Sequence, residues 1–237
     1  MPPPLFSGAG RNGVKPELHR FGQSCQPVVT VDGITGDPAV VVELAAGLAP
    51  FPVSETYYPG VRRVFGPAQG EAYAYACRLL ETAAPFIGGG FDAGGFDLIE
   101  ASFSIVTVPP EALTPAQRAP HFDSADPNYV AVLHYLTDTP DSGTAFYRQR
   151  STGIELVDET NQAAFVGAAR TESTGLAGYT NASNAHFEQI GRIEAVSDRL
   201  VVYRGALLHS GIIPPDMKFS ADPRQGRLTA NLFIRIQ

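Results

Sequence analysis

Apolar positions change their spacing near residue 95. Before it, Val40, Val41, Leu44, Ala45 and Leu48 recur at helical intervals behind Asp37-Pro38. Asp37 is placed to cap the free amides, and Pro38 suits the first helical position. A second helix is predicted between Pro67 and Ala84, with Tyr73, Ala76, Cys77 and Leu80 on one side. Pro85 and Gly88-Gly89-Gly90 are expected to stop it. A strand over Val28–Val31, ending at the Asp32-Gly33 turn, precedes both helices. After residue 95 the pattern is β. Phe96–Val108 reads as a strand closed by Pro109-Pro110. Tyr129–Leu136 is almost continuously apolar, hence a central strand covered on both faces. Thr144–Arg148 is another strand, and Arg227–Ile236 the last. Ile190–Val196 and Leu200–Tyr203 pattern as a hairpin around Ser197-Asp198-Arg199. Residues 1–27 read as an irregular N-terminal arm and 28–237 as a single domain. Within it, 151–189 is polar and weakly periodic, as in a lid-like insertion. Helices first and strands later predict an α+β protein: a jelly-roll (double-stranded β-helix) core with N-terminal supporting helices.

Composition narrows the function classes. The 237 residues are 44% hydrophobic and 17% charged, as in ordinary globular proteins, and 24 glycines with 20 prolines imply many turns. A net charge of −7 disfavours a nucleic-acid surface. The longest apolar stretch, Ala39–Ala49, is interrupted by Glu43 and is too short to span a bilayer, so no membrane partner is expected. The start, MPPPLFSGAGRNG, has no basic region followed by an apolar segment, which makes the cytoplasm the expected compartment. Cys25 and Cys77 then read as free buried thiols.

The candidate chemistry sits on three histidine and aspartate positions. His121 and Asp123 flank Phe122 just ahead of the central strand. In an extended segment residues i and i+2 point the same way, so both reach one metal ion. His209 follows 86 residues after Asp123, just beyond the Leu200–Tyr203 strand. Two imidazoles and one carboxylate on one side of a metal leave three positions open, the facial triad of non-haem Fe(II) oxygenases. No CxxC or Cys-His spacing competes with it. Eighteen residues after His209 comes Arg227, which shares a strand face with Thr229, Asn231 and Phe233. A guanidinium buried there needs an anion. A dicarboxylate cosubstrate is one candidate; an internal partner such as Glu194 or Asp198 is the other.

Four features make the chain resemble the Fe(II)/2-oxoglutarate-dependent dioxygenases, in particular their prolyl-hydroxylase-like branch. They are His121-x-Asp123, the strand ending Leu133-His134-Tyr135-Leu136-Thr137-Asp138, the following Ser142-Gly143-Thr144-Ala145-Phe146, and His209 followed by Arg227-Leu228-Thr229. The resemblance covers about residues 28–236. It implies His121, Asp123 and His209 as catalytic iron ligands and Arg227, helped by Thr229 and Tyr135, as the 2-oxoglutarate site. It implies Fe(II), 2-oxoglutarate and O2 as cofactor and cosubstrates, and hydroxylation of a C–H bond with release of succinate and CO2. An amino acid, a peptide or a small metabolite fits as substrate. Retention of Asp123 points to hydroxylation over halogenation. The His-to-Arg spacing exceeds the branch's usual one, so residues 212–225 form an extra loop.

Other positions carry less. His134 neighbours Tyr135 on a strand and must face away from it. Tyr147 and Arg148 are candidate substrate contacts near the pocket mouth. His186 and the acidic Glu155, Asp158 and Glu159 read as packing or solvated groups. Two further function classes stay open: a cupin-like zinc or manganese enzyme of hydrolase or isomerase type using the same three ligands, and a jelly-roll binding protein without turnover.

Overall fold

The computed structural model describes residues 14–54 and 57–237. In chain order the elements are β1 (Lys15–Phe21), β2 (Gln26–Asp32), α1 (Pro38–Gly47), β3 (Gly60–Phe65), α2 (Gly70–Phe91), β4 (Phe96–Val106), α3 (Pro115–Arg118), β5 (Tyr129–Tyr135), β6 (Gly143–Gln149), α4 (Gln162–Glu172), β7 (Phe187–Glu194), β8 (Arg199–Arg204), β9 (His209–Ile212) and β10 (Leu228–Ile236). A seven-stranded sheet runs β1-β2-β8-β5-β10-β4-β3 and a three-stranded sheet runs β7-β6-β9. Every pairing is antiparallel.

Alternation along the strands sorts side chains into layers. One face of the large sheet, with Val29, Phe103, Val132 and Leu232, packs on α1 and α2. The other face turns Ala131, Leu133, Tyr135, Val201 and Tyr203 toward Phe146 of the small sheet. The outer face of the small sheet, with Tyr147 and Phe187, is covered by Val157 and Phe165 of the insertion. The face that carries Tyr135 is thus an interior one, between two sheets.

Several expectations change. The arm is not irregular throughout: β1 pairs with β2 along its whole length, so the domain begins before residue 28, while residues 1–13 lie outside the described ones. Asp37 makes no side-chain cap on α1. The nearby loop is held instead by Asp198, whose carboxylate accepts from the Thr35 and Gly36 amides and the Thr35 hydroxyl. Helix α2 runs straight through Pro85 and the triple glycine to Phe91. An interior proline costs about 3 kcal/mol, but full burial of Ile87 and near-full burial of Phe91 contribute about 1.5–3 kcal/mol each. Gly90 lies so close to β2 that a Cβ there would stand 2.4 Å from Val29 Cγ2, so this glycine serves helix–sheet approach rather than termination. The predicted hairpin is absent: β7 pairs with β6 in the small sheet, and β8 with β2 and β5 in the large one. The 197–199 turn is a crossover between sheets, with Asp198 at φ +64°.

The insertion carries α4 and is fastened down. Tyr147 donates to Thr180 O (2.7 Å), Thr180 Oγ1 to Arg118 O (2.6 Å), Tyr179 to Val108 O (2.6 Å), and Asn181 exchanges two bonds with Ile213. Residues 213–227 form the loop expected between β9 and β10. Both cysteines are free, but Cys25 is exposed. No helix among the described residues is long and apolar enough to cross a membrane.

Candidate metal centre

Three chain segments bring the triad together. The backbones of His121 and His209 exchange two hydrogen bonds, His121 N to His209 O (2.9 Å) and the reverse (2.8 Å), which sets the two residues side by side. Asp123 is fixed by its amide donating to Gly205 O (2.7 Å). A Cβ on Gly205 would stand 2.7 Å from the Tyr129 ring and 3.2 Å from Asp123 Cβ, so the turn needs glycine to let Asp123 approach. Ahead of His209, Leu207 is buried in the core between the sheets and Leu208 in the core behind the small sheet. Each ligand-bearing segment is therefore anchored by packing or backbone bonds on its own side.

One donor atom from each of His121, Asp123 and His209 lies within 4.8 Å of the others. Asp123 Oδ1 is 3.9 Å from His121 Nε2, and Oδ2 is 3.6 Å from His209 Nε2. These separations are too long for hydrogen bonds, and Asp123 Oδ2 is buried with no hydrogen-bond partner among the described residues. The Leu207 carbonyl accepts a hydrogen bond from His209 Nδ1 (2.8 Å), so the proton sits on Nδ1 and the Nε2 lone pair faces Asp123. Burial pushes His209 down to about 4 and Asp123 up to about 6. Burial and the neighbouring His209 also push His121 down to about 4. His121 leaves 53% of its side chain exposed, so solvent softens the shift there more than at His209. Two neutral imidazoles facing an orphaned carboxylate form a donor set that a divalent cation satisfies at once.

The second half of the site lies along the same interior face. Arg227 is 6% exposed, donates to Ser142 Oγ (2.6 Å) and Gly143 O (3.0 Å), and lies 5.5 Å from the centre of the Tyr135 ring. Among the described residues it pairs with no carboxylate: Glu194 meets Arg192, and Asp198 meets His134. Tyr135 shares a hydrogen with Thr144 Oγ1 (2.6 Å), Thr229 donates weakly to Ser104 O (3.5 Å), and Asn231 donates to Thr229 (3.2 Å). The Ser104 hydroxyl beside them is buried without a partner among the described residues.

Four residues near this face escaped the sequence reading: Tyr58, Tyr203, Tyr179 and Arg62. Burial pushes the Tyr58 phenol up to about 12, against the pull of Arg227, Arg62 and Thr229 beside it. Tyr203 packs edge-on against His209 (4.8 Å), and its phenol feels the charges of both Asp123 and Arg227, which places it between the two halves. Tyr179, from the insertion, adds its ring near Tyr58 and Arg227. Conversely, the structure gives Tyr147 and Arg148 other work. Tyr147 is fully buried against Thr180, and Arg148 is ion-paired with Glu155 (3.3 Å) and Glu188 (2.9 Å). Glu155 is buried, not solvated, and binds the Gln23 and Ser24 amides of the β1–β2 turn. His134 faces α2, as its neighbour's orientation demands, and bonds Tyr75 and Asp198. A groove of about 530 Å³ beside α1 lies on the helix side of the sheet, apart from the triad.

Comparison with known proteins places the architecture. The chain is similar to the non-haem α-ketoglutarate-dependent epimerase SnoN from nogalamycin biosynthesis, at 14% identity and TM-score 0.53, over 89% of this chain and 79% of that one. It is also similar to apo HygX from Streptomyces hygroscopicus, at 15% identity and TM-score 0.51, over 90% and 83%. A SnoN complex with Fe3+, α-ketoglutarate and nogalamycin RO gives 10% identity and TM-score 0.50, over 89% and 79%. At such identities the likeness is one of fold. No curated protein matches the sequence. A family model does, over residues 12–234, and the chain belongs to that family, described as a family of unknown function (DUF6445).

Proposed function

We propose that the protein is an Fe(II)- and 2-oxoglutarate-dependent oxygenase built on a double-stranded β-helix. His121, Asp123 and His209 hold the iron, and Arg227 receives the distal carboxylate of 2-oxoglutarate. One observation carries this reading: a buried guanidinium with no carboxylate partner among the described residues shares an interior face with a converged His-Asp-His set, one of whose carboxylate oxygens has no hydrogen-bond partner among those residues either. SnoN, which shares the fold, is described with iron and α-ketoglutarate bound. Bound iron would supply the oxidation of a substrate C–H bond by O2, with R–H, O2 and 2-oxoglutarate giving R–OH, succinate and CO2.

The chain's own residues do the rest. His209 presents its Nε2 lone pair because Nδ1 is tied to Leu207 O. Arg227 keeps N–H groups beyond the two bonded to Ser142 and Gly143, and these form a charge-assisted pair with a carboxylate. The hydroxyls of Tyr135, Thr229 and Tyr58 border the same carboxylate, and Tyr58 stays protonated at neutral pH and so can donate. Leu133, Val201, Leu207 and Phe146 belong to the buried apolar layer between the two sheets. A zinc hydrolase would need a general base, and among the described residues no fourth acidic or imidazole group joins the cluster.

The test is succinate formation and O2 uptake by protein loaded with Fe(II), ascorbate and 2-oxoglutarate. Arg227→Gln is expected to raise the KM for 2-oxoglutarate by about 10–100-fold. An unchanged KM removes the anchor. Turnover supported by zinc but not by iron removes the oxygenase reading altogether.

A further inference from the structure

The open edge of the large sheet, where β3 ends the strand order, carries an ion pair that neither the triad nor the cosubstrate site uses. Arg62 Nη2 donates to Glu100 Oε1 (2.6 Å) and Nε donates to Ser102 Oγ (2.9 Å). The guanidinium lies 5.6 Å from the centre of the Phe233 ring, which in turn stacks on Tyr129 at 5.2 Å. The cation is therefore held on an aromatic platform by three neighbours. Its Nη1 has no partner among the described residues, and the Arg62 and Glu100 side chains remain 17% and 36% exposed.

The pair borders the reacting centre. Arg62 is the guanidinium whose charge bears on Asp123, and it bears also on Tyr58 at the cosubstrate end. Arg62 and Glu100 both act on Tyr129, which packs against Gly205 at the base of Asp123. A fixed positive and a fixed negative group thus sit side by side, linked to the base of Asp123 through Phe233 and Tyr129.

That arrangement selects by charge. A lone carboxylate ligand gains Arg62 but is opposed by Glu100, and a lone amine meets the reverse. A ligand carrying both charges on neighbouring atoms satisfies both, through a carboxylate on the open edge of Arg62 and an ammonium on Glu100. Solvent still reaches both partners, so a ligand's charges meet the pair at its exposed side without the pair itself having to open. We infer that the Arg62–Glu100 pair is the substrate-recognition element and that the substrate is a free α-amino acid. This rests on the oxygenase reading and deepens it by naming the substrate class.

The experiment measures succinate formation by Fe(II)-loaded protein with each of the proteinogenic L-amino acids. Any amino acid that raises the rate is then compared with its methyl ester and its N-acetyl derivative. Both masked forms are expected to lose roughly tenfold or more in kcat/KM. In Arg62→Gln the preference for acid over ester collapses toward unity, and in Glu100→Gln the preference for free amine over acetamide does so. A structural role for the pair would lower all rates together and leave these ratios unmoved. The inference is overturned if no amino acid raises the rate while 2-oxoglutarate still binds, or if the ester and acetyl forms serve as well as the free acid. Absence of 2-oxoglutarate binding itself is a different result, and it takes down the oxygenase reading with this one.

Discussion

Two histidine clusters on opposite sides of one sheet show what distinguishes a structural polar group from a ligand. On the helix side, His134 is wholly buried and fully satisfied. The Tyr75 phenol lies 2.6 Å from its Nδ1, its Nε2 lies 3.0 Å from Asp198, and Asp198 accepts further bonds from Thr35 and Gly36. On the interior side, His121, Asp123 and His209 stand within ion-sharing distance but outside hydrogen-bonding distance, and one carboxylate oxygen has no hydrogen-bond partner among the described residues. Both clusters contain His and Asp. The first closes on itself; the second leaves a carboxylate oxygen that the proposed cation would satisfy. Buried polar groups are normally satisfied, so the exception marks where a ligand belongs.

Removing Asp123 should break this contrast most sharply. Asp123→Ala is expected to lower iron-dependent succinate formation by about three orders of magnitude. The metal-free variant should nonetheless be as stable as the parent or more so, because a buried, unpartnered carboxylate has gone. Chemical denaturation in the presence of a chelator checks the second half. A large loss of stability would mean that the triad, like its counterpart, is structural.

The helix-side cluster should respond in the opposite sense. His134→Phe leaves the Tyr75 phenol without its partner in a dry core, while Asp198 Oδ1 loses one bond and keeps those from Thr35; the change costs about 1–3 kcal/mol. Urea midpoints measure this. A variant that folds as well as the parent would show that the network is dispensable, and the comparison would lose one of its arms.

The sequence revealed these clusters unevenly, for physical reasons. The interior face of β10 is readable because Thr229, Asn231 and Phe233, with Arg227 just ahead of them, alternate with apolar residues, and β5 is readable as a central strand because its run is apolar but for His134. His134 was assigned to the far side from Tyr135's neighbour position alone. Arg62 was not readable: Arg63 follows it, and two adjacent arginines carry no alternation to say which one faces inward. Tyr203 lay in a run too uniformly apolar to have a face. The 197–199 turn looked like a hairpin because turn residues encode a reversal, not which sheet each strand joins. Pro85 and the glycines misled for a related reason: local breaking signals were outweighed by Ile87 and Phe91 against the sheet, a tertiary contribution invisible to local pattern.

Acidification gives the smallest and most selective comparison. Burial pushes His134 below its ordinary 6.5, more than Asp198 pulls it up. Burial alone would push Asp198 above its ordinary 3.8, but hydrogen bonds from His134, Thr35 and Gly36 prevail and hold it below. In both cases the unfolded chain takes up the proton first. Stability from this cluster is therefore complete near neutrality, declines as pH falls below 6.5 through His134, and declines again below 3.8 through Asp198. Within the metal-free triad, His209 has the same sign as His134, but Asp123, raised to about 6, has the opposite one, so the total slope mixes the two clusters. Subtraction separates them. With chelator present, moving from about pH 7.5 to about pH 5 should reduce the urea midpoint of the parent more than that of His134→Phe, because the triad terms cancel between the two proteins. Equal reductions would mean that His134 is not held neutral by its surroundings, and the closed cluster would then be open to protons in the way the triad is open to metal.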